Sequence, residues 1–142
     1  MIVRSLDVKE YLSQAIWLEE RIDSELEKLI SLRSMAAKAT SVIREEVFGS
    51  NREKCPMENT IDKFIDLENE IKLDLNKLVA LKKEISDAIK KVKAPELILL
   101  LENRYILNKS WEDIADSMNY SIRNIHYVHK KALKSVRNYL YT

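Results

Sequence analysis

Between Asp7 and about Val47 the apolar side chains recur in alternating steps of four and three. They fall at Tyr11, Ala15, Leu18, Ile22, Leu29, Leu32, Ala36, Ala39 and Ile43, with Glu25 the one charged member of the series. Such spacing returns to one helix face every seven residues and predicts a coiled-coil seam. Asp7 with Glu10 three residues on is a capping box, and no Gly or Pro interrupts the helix it opens. The segment Phe48 to Pro56 (FGSNREKCP) breaks the pattern with the only Gly and one of the two prolines, so a loop is expected at about 48–58. Beyond it Ile61, Phe64, Glu68, Ile71, Leu75, Leu78, Lys82, Ile85, Ile89 and Val92 resume the alternation. The pair predicts a long antiparallel helical hairpin, each arm about 55 to 60 Å at about 1.5 Å per residue. Further apolar residues flank the seams at Leu12, Leu26, Met35, Ile65, Leu67, Val79, Leu81 and Ala88, a stripe wider than two helices use.

The segment Lys93, Ala94, Pro95 interrupts this helix, because the residue before a proline disfavours helical dihedrals while proline suits a first helical position. A helix from Pro95 to about Leu107 is predicted next, then a break at Asn108 and Lys109. Ser110 and Asp113 form a second capping box for a helix from Trp111 to Met118. Asn119 and Tyr120 make a turn, Asn being suited to the left-handed region, and Ser121 caps a last helix with apolar residues at Ile122, Ile125, Val128, Ala132, Val136 and Leu140. The expected fold is all-α in two domains: a hairpin over 1–94 and a three-helix unit over 95–142.

Composition supports this and removes alternatives. One Gly and two Pro in 142 residues do not supply the turns of a sandwich, a barrel or a Rossmann unit. The formal net charge is only +1, so any charge signal is local. A single Cys, Cys55, forms no internal disulfide and lacks a neighbouring His to activate it. No signal-peptide pattern and no membrane-length apolar run occur, so a cytoplasmic location without a membrane partner is expected. Carboxylates on the long helices alternate with Lys and Arg, as on solvated surfaces. His126 and His129 have a chelating spacing but no third ligand on their helix. The chain is therefore read as a non-enzyme with no cofactor and no metal.

The local charge signal lies at the C-terminus. From Pro95 onward every acid (Glu96, Glu102, Glu112, Asp113, Asp116) precedes the turn at Asn119, whereas Arg123, Lys130, Lys131, Lys134 and Arg137 all come after it. Interleaved with His126, Tyr127 and His129, these cations form a footprint suited to phosphates. Helix, short turn, helix is also the arrangement that places a second helix in a DNA major groove.

The run Leu99 to Arg137 resembles the helix-turn-helix of sigma-70 region 4. The resemblance is carried by Arg104-Tyr105, Ser110-Trp111-Glu112-Asp113-Ile114-Ala115, Met118-Asn119-Tyr120-Ser121, Ile125, Val128 and Lys131-Ala132-Leu133. Asn119 stands where Gly is usual, and the base-facing residues differ from those of housekeeping sigma factors, so promoter specificity does not transfer. As a whole the chain is similar to small phage proteins of Gram-positive hosts grouped with late-gene activators of the ArpU and RinA type. The resemblance implies a phage or prophage transcription regulator acting in the bacterial cytoplasm on duplex DNA, with host RNA polymerase a further candidate partner, and the wide apolar stripe of the hairpin predicts a homodimer. It implies base contacts from Ile122, Arg123, Asn124, His126 and Tyr127, and phosphate contacts from Lys130, Lys131 and Lys134. Ser110, at the amide end of its helix, is a further phosphate candidate, while Trp111 is expected to pack. Two rivals remain: an interaction protein that grips polymerase without reading DNA, and a packaging protein of the terminase small-subunit kind.

Overall fold

The computed structural model describes residues 7–45 and 56–140, with side chains at 7–38 and 59–140. They form five helices, α1 (Val8–Glu45), α2 (Pro56–Lys90), α3 (Pro95–Leu101), α4 (Trp111–Met118) and α5 (Ile122–Leu140), and a π-helical turn (Glu102–Ile106) continues directly from α3. No strand occurs among the described residues. Most of the expected 48–58 loop, with Cys55, lies outside them. Its last positions belong instead to α2, which opens on Pro56, where the missing amide hydrogen costs nothing.

The chain divides into two compact units. One unit takes the chain up to Glu19 together with Leu78 onward; the other is Glu20–Lys77. The reason is burial. In the first unit the starting turns of α1 (Val8, Tyr11, Leu12, Ala15), the end of α2 (Ile85, Ala88, Ile89) and the C-terminal helices (Leu100, Leu101, Tyr105, Ile114, Ile125, Ala132, Val136) are all buried. Each large side chain so covered contributes roughly 1.5 to 3 kcal/mol. Leu12 and Ala88, which flank the predicted seams, are thereby accounted for. Lys82 Nζ donates to Glu19 Oε1 at 3.0 Å, which explains a lysine at a seam position.

Among the described side chains of the unit Glu20–Lys77, Ile22 and Ile71 are the buried hydrophobic members. Arg21 lies near Glu70 and Asp74, and Arg33 lies over the Phe64 ring at 6.0 Å. Partners thus descend along α2 as they ascend along α1. Glu25 sits at the seam as its spacing predicts, and Asp74 is buried beside it. Leu75, expected at the seam, is 43% exposed. Residues 74 and 75 lie on either side of the line through Ile71 and Leu78. Hydrophobicity selects the leucine, whereas the rotation of α2 selects the aspartate. Burial, followed by the neighbouring Asp74 and Glu70, raises the Glu25 carboxyl above its ordinary range, with Arg21 opposing.

The break between α2 and α3 is as expected: Lys93 adopts φ 71° and Ala94 is extended before Pro95. The predicted single helix from Pro95 to Leu107 is not uniform. At its end the ladder widens, so that Leu107 N–H donates to the Glu102 carbonyl at 3.0 Å. Asn103 Nδ2 donates to the Leu99 carbonyl at 2.9 Å, occupying the acceptor that an α-turn offers to the Asn103 amide.

Candidate nucleic-acid interface

Two short elements set the start of α5. Ser110 caps α4, its Oγ accepting from the Asp113 amide at 3.1 Å, and Asn119 closes α4 in the left-handed conformation at φ 59°. Asn tolerates that conformation better than a branched or bulky residue does, which accounts for its standing where glycine is usual. Ser121 Oγ then accepts from the Asn124 amide at 3.1 Å and starts α5. Tyr120 hydroxyl donates to Glu96 Oε1, tying the turn to the start of α3.

The apolar spacing of α5 buries Ile125, Val128, His129, Ala132 and Val136 on one face. The opposite face holds Arg123, His126, Tyr127, Lys130, Lys134 and Arg137, all exposed, with Lys131 and Asn124 at its margins. No acid lies on α5. Arg123, His126, Tyr127 and Lys130 line one shallow concavity of about 350 Å³. Lys131 Nζ stands over the Tyr127 ring at 4.8 Å, so these two side chains brace each other. Ile122, at the first position of the helix, is 41% exposed.

One expectation about this surface needs correction. His129 does not belong to the exposed cationic footprint: it is 7% exposed and hydrogen-bonded through Nε2 to the Tyr105 hydroxyl at 2.6 Å. Its place at 129, one turn from Ile125 and three before Ala132, puts it on the core face. Burial first, then the nearby Lys9, His126 and Arg104 charges, push its pKa down to about 4, whereas burial pushes Tyr105 up to about 12. The ring is therefore neutral near pH 7, and the phenol, the stronger donor, donates to Nε2. Ser110 lies at the exposed start of α4, with the acids Glu112 and Asp113 in the same turn.

Trp111 packs, as expected. Its ring lies 4.9 Å from that of His126 and 4.5 Å from that of His129. Arg104 stands over it at 4.6 Å and donates from Nη1 to the Lys109 carbonyl at 2.9 Å. The indole thus connects the buried Tyr105–His129 pair to the exposed His126 and fixes the imidazole that faces outward.

One contributor was not legible as part of the surface. Lys130, Leu133, Lys134 and Arg137 line a second concavity, about 210 Å³, together with Asp7, Val8 and Lys9 from the start of α1. The start of α1 thus adds one cation, Lys9, and one acid, Asp7, beside the cationic face of α5. Nothing in the spacing of α1 signals this, since it depends on where a helix more than a hundred residues earlier is packed. Comparison with family models, curated proteins and solved structures finds no match.

Proposed function

We propose that this chain is a sequence-specific duplex DNA-binding transcription regulator of phage or prophage genes, with α4, the turn and α5 acting as a helix-turn-helix of the sigma region 4 kind. The observation that carries this reading is the acid-free cationic face of α5, backed by a buried apolar strip and preceded by a left-handed turn. In this reading Ile122, Arg123, His126 and Tyr127 approach base edges. Lys130, Lys131 and Lys134, joined by Lys9, approach phosphates. The rigid Trp111 support under His126 favours a fixed reading geometry over a mobile one.

The two long helices are read as an antiparallel hairpin that pairs two copies of the chain. Support comes from the unit Glu20–Lys77, where Leu26, Ile30, Met35, Ile61, Ile65, Leu73 and Leu75 are exposed, an apolar surface that self-association covers. A twofold assembly suits a palindromic operator.

Selection of bound fragments from random duplex DNA tests the reading. It should return one motif, and affinity for that motif should fall steeply with salt. Failure to retain any duplex, with capture of RNA polymerase instead, replaces it by the reading of an interaction protein.

A further inference from the structure

Glu25, Glu70 and Asp74 each bring a carboxylate oxygen to within 4.8 Å of the others, on facing turns of α1 and α2 inside the unit Glu20–Lys77. Glu25 is 4% exposed and Asp74 3% exposed. No N–H donor reaches either Glu25 oxygen or Asp74 Oδ2, which are buried, and the Glu25 and Asp74 carboxyls lie within hydrogen-bonding reach of each other. The one cation at hand, Arg21, stands off: its Nε is 3.7 Å from both Glu25 Oε1 and Asp74 Oδ2, and its Nη2 is 3.6 Å from Glu70 Oε1. Its side chain is 61% exposed, so it leans over the group from solvent and does not fill it.

When all three are ionised, three carboxylates against one guanidinium leave a charge excess of two, concentrated where two of the three are out of water, and the crowding is relieved either by a proton between Glu25 and Asp74 or by a cation. Orphaned buried carboxylate oxygens are costly unless something positive reaches them. We infer that Glu25, Asp74 and Glu70 form a binding site for a hard divalent cation of the Mg²⁺, Mn²⁺ or Ca²⁺ kind. The donor set is all oxygen, which disfavours zinc and copper. The donors lie within 4.8 Å of one another, the span of oxygens on opposite sides of Ca²⁺ at about 2.4 Å, and small side-chain movements draw them onto the smaller Mg²⁺ or Mn²⁺ at about 2.1 Å. Glu70, the exposed member, faces the open side where water completes the shell, and Arg21 has room to swing away. A cation here cross-links α1 to α2 beside the buried Ile22 and Ile71. The site is independent of the cationic face of α5, and its test does not involve DNA.

The experiment uses the full chain, stripped with a chelator and titrated with Mn²⁺ at neutral pH. Free Mn²⁺ is followed by electron paramagnetic resonance, and amide signals by nuclear magnetic resonance. One Mn²⁺ per chain is expected, broadening the signals of 21–25 and 70–74 first, with a raised melting midpoint that Mg²⁺ or Ca²⁺ reproduces. Glu25→Gln and Asp74→Asn should each lower the affinity at least about tenfold, as loss of a ligand does. Asp23→Asn, on the exposed face of α1, should leave it unchanged. Glu70→Gln alters an exposed side chain and so keeps the test valid if a core variant fails to fold; it too should weaken binding. Absence of binding at millimolar Mn²⁺ overturns the inference and leaves a proton as the occupant of the acid pair. Broadening spread over the exposed acids, or affinity unchanged by Glu70→Gln, overturns it as well.

Discussion

The Tyr105–His129 pair offers a prediction in which the sign of a pH effect is set by burial. His129 has a folded-state pKa of about 4 against an ordinary value of 6.5, burial being the first cause and the charges of Lys9, His126 and Arg104 the rest. Above about pH 6.5 the ring is neutral in both folded and unfolded chains, so it contributes no pH dependence. Between 6.5 and about 4 the unfolded chain takes up a proton that the folded chain refuses, and stability falls as pH falls. The gap corresponds to about 3 kcal/mol when fully developed, and to about 2 kcal/mol between pH 7 and about pH 5. Urea unfolding at the two pH values measures it. Because carboxylates titrate nearby, the comparison is with the double variant Tyr105→Phe/His129→Leu, which removes the ring and its partner together and should lose this part of the slope. At neutral pH each single variant leaves one buried polar group orphaned, at about 1 to 3 kcal/mol, whereas the double variant should cost less than the two together. The chain has only two histidines, so their ring signals are readily assigned by nuclear magnetic resonance. A His129 signal titrating near pH 6.5, or a pH slope identical in wild type and double variant, refutes the argument.

Four other outcomes are expected. Arg123→Ala should relax preference at one base pair by about 1 to 3 kcal/mol, whereas Lys130→Ala, Lys134→Ala or Lys9→Ala should weaken all duplexes alike and lower the salt slope by about one each; unchanged binding in every basic variant sinks the DNA-reading proposal. Ile125→Asp, at a position with 0% exposure, should unfold the C-terminal helices at a cost of several kcal/mol, seen as lost helicity by circular dichroism. The fragment 95–142 should not fold alone, since its core is completed by Leu12, Ala15, Ile85 and Ile89; a sharp melting transition for it contradicts this. Light scattering at tens of micromolar should report a dimer, and a monomer counts against the pairing proposed for the exposed apolar side chains.

The helices themselves were legible because their signals are local. Capping at Ser110 and Ser121, the left-handed Asn119 and the break before Pro95 each depend on residues within one turn, and each occurs where the spacing puts it. The heptad series also located Glu25 at a buried seam position. Most of what escaped depends on packing at long range. His129 is the exception, since its spacing from Ile125 and Ala132 already places it on the core face, whereas Asp74 reads as a surface acid beside an eligible Leu75. The π turn was equally invisible, since Leu101 and Tyr105 keep an ordinary helical spacing across it. Lys9 joins the candidate interface only because the first turns of α1 belong to the same compact unit as α5.

That π turn has a consequence for how the C-terminal unit tolerates change in length. Five residues, Glu102–Ile106, occupy a stretch in which one residue is surplus to a regular α-turn. Removing one of them lets the ladder close into a regular α-turn, and the chain downstream keeps nearly its phase relative to α3, because the wider turn had absorbed the extra residue. Without that turn, a change of one residue rotates everything downstream by about 100° and shifts it by about 1.5 Å along the helix. The π turn is therefore slack between α3 and the two helices after it, a place where one residue is lost without altering which way the cationic face points.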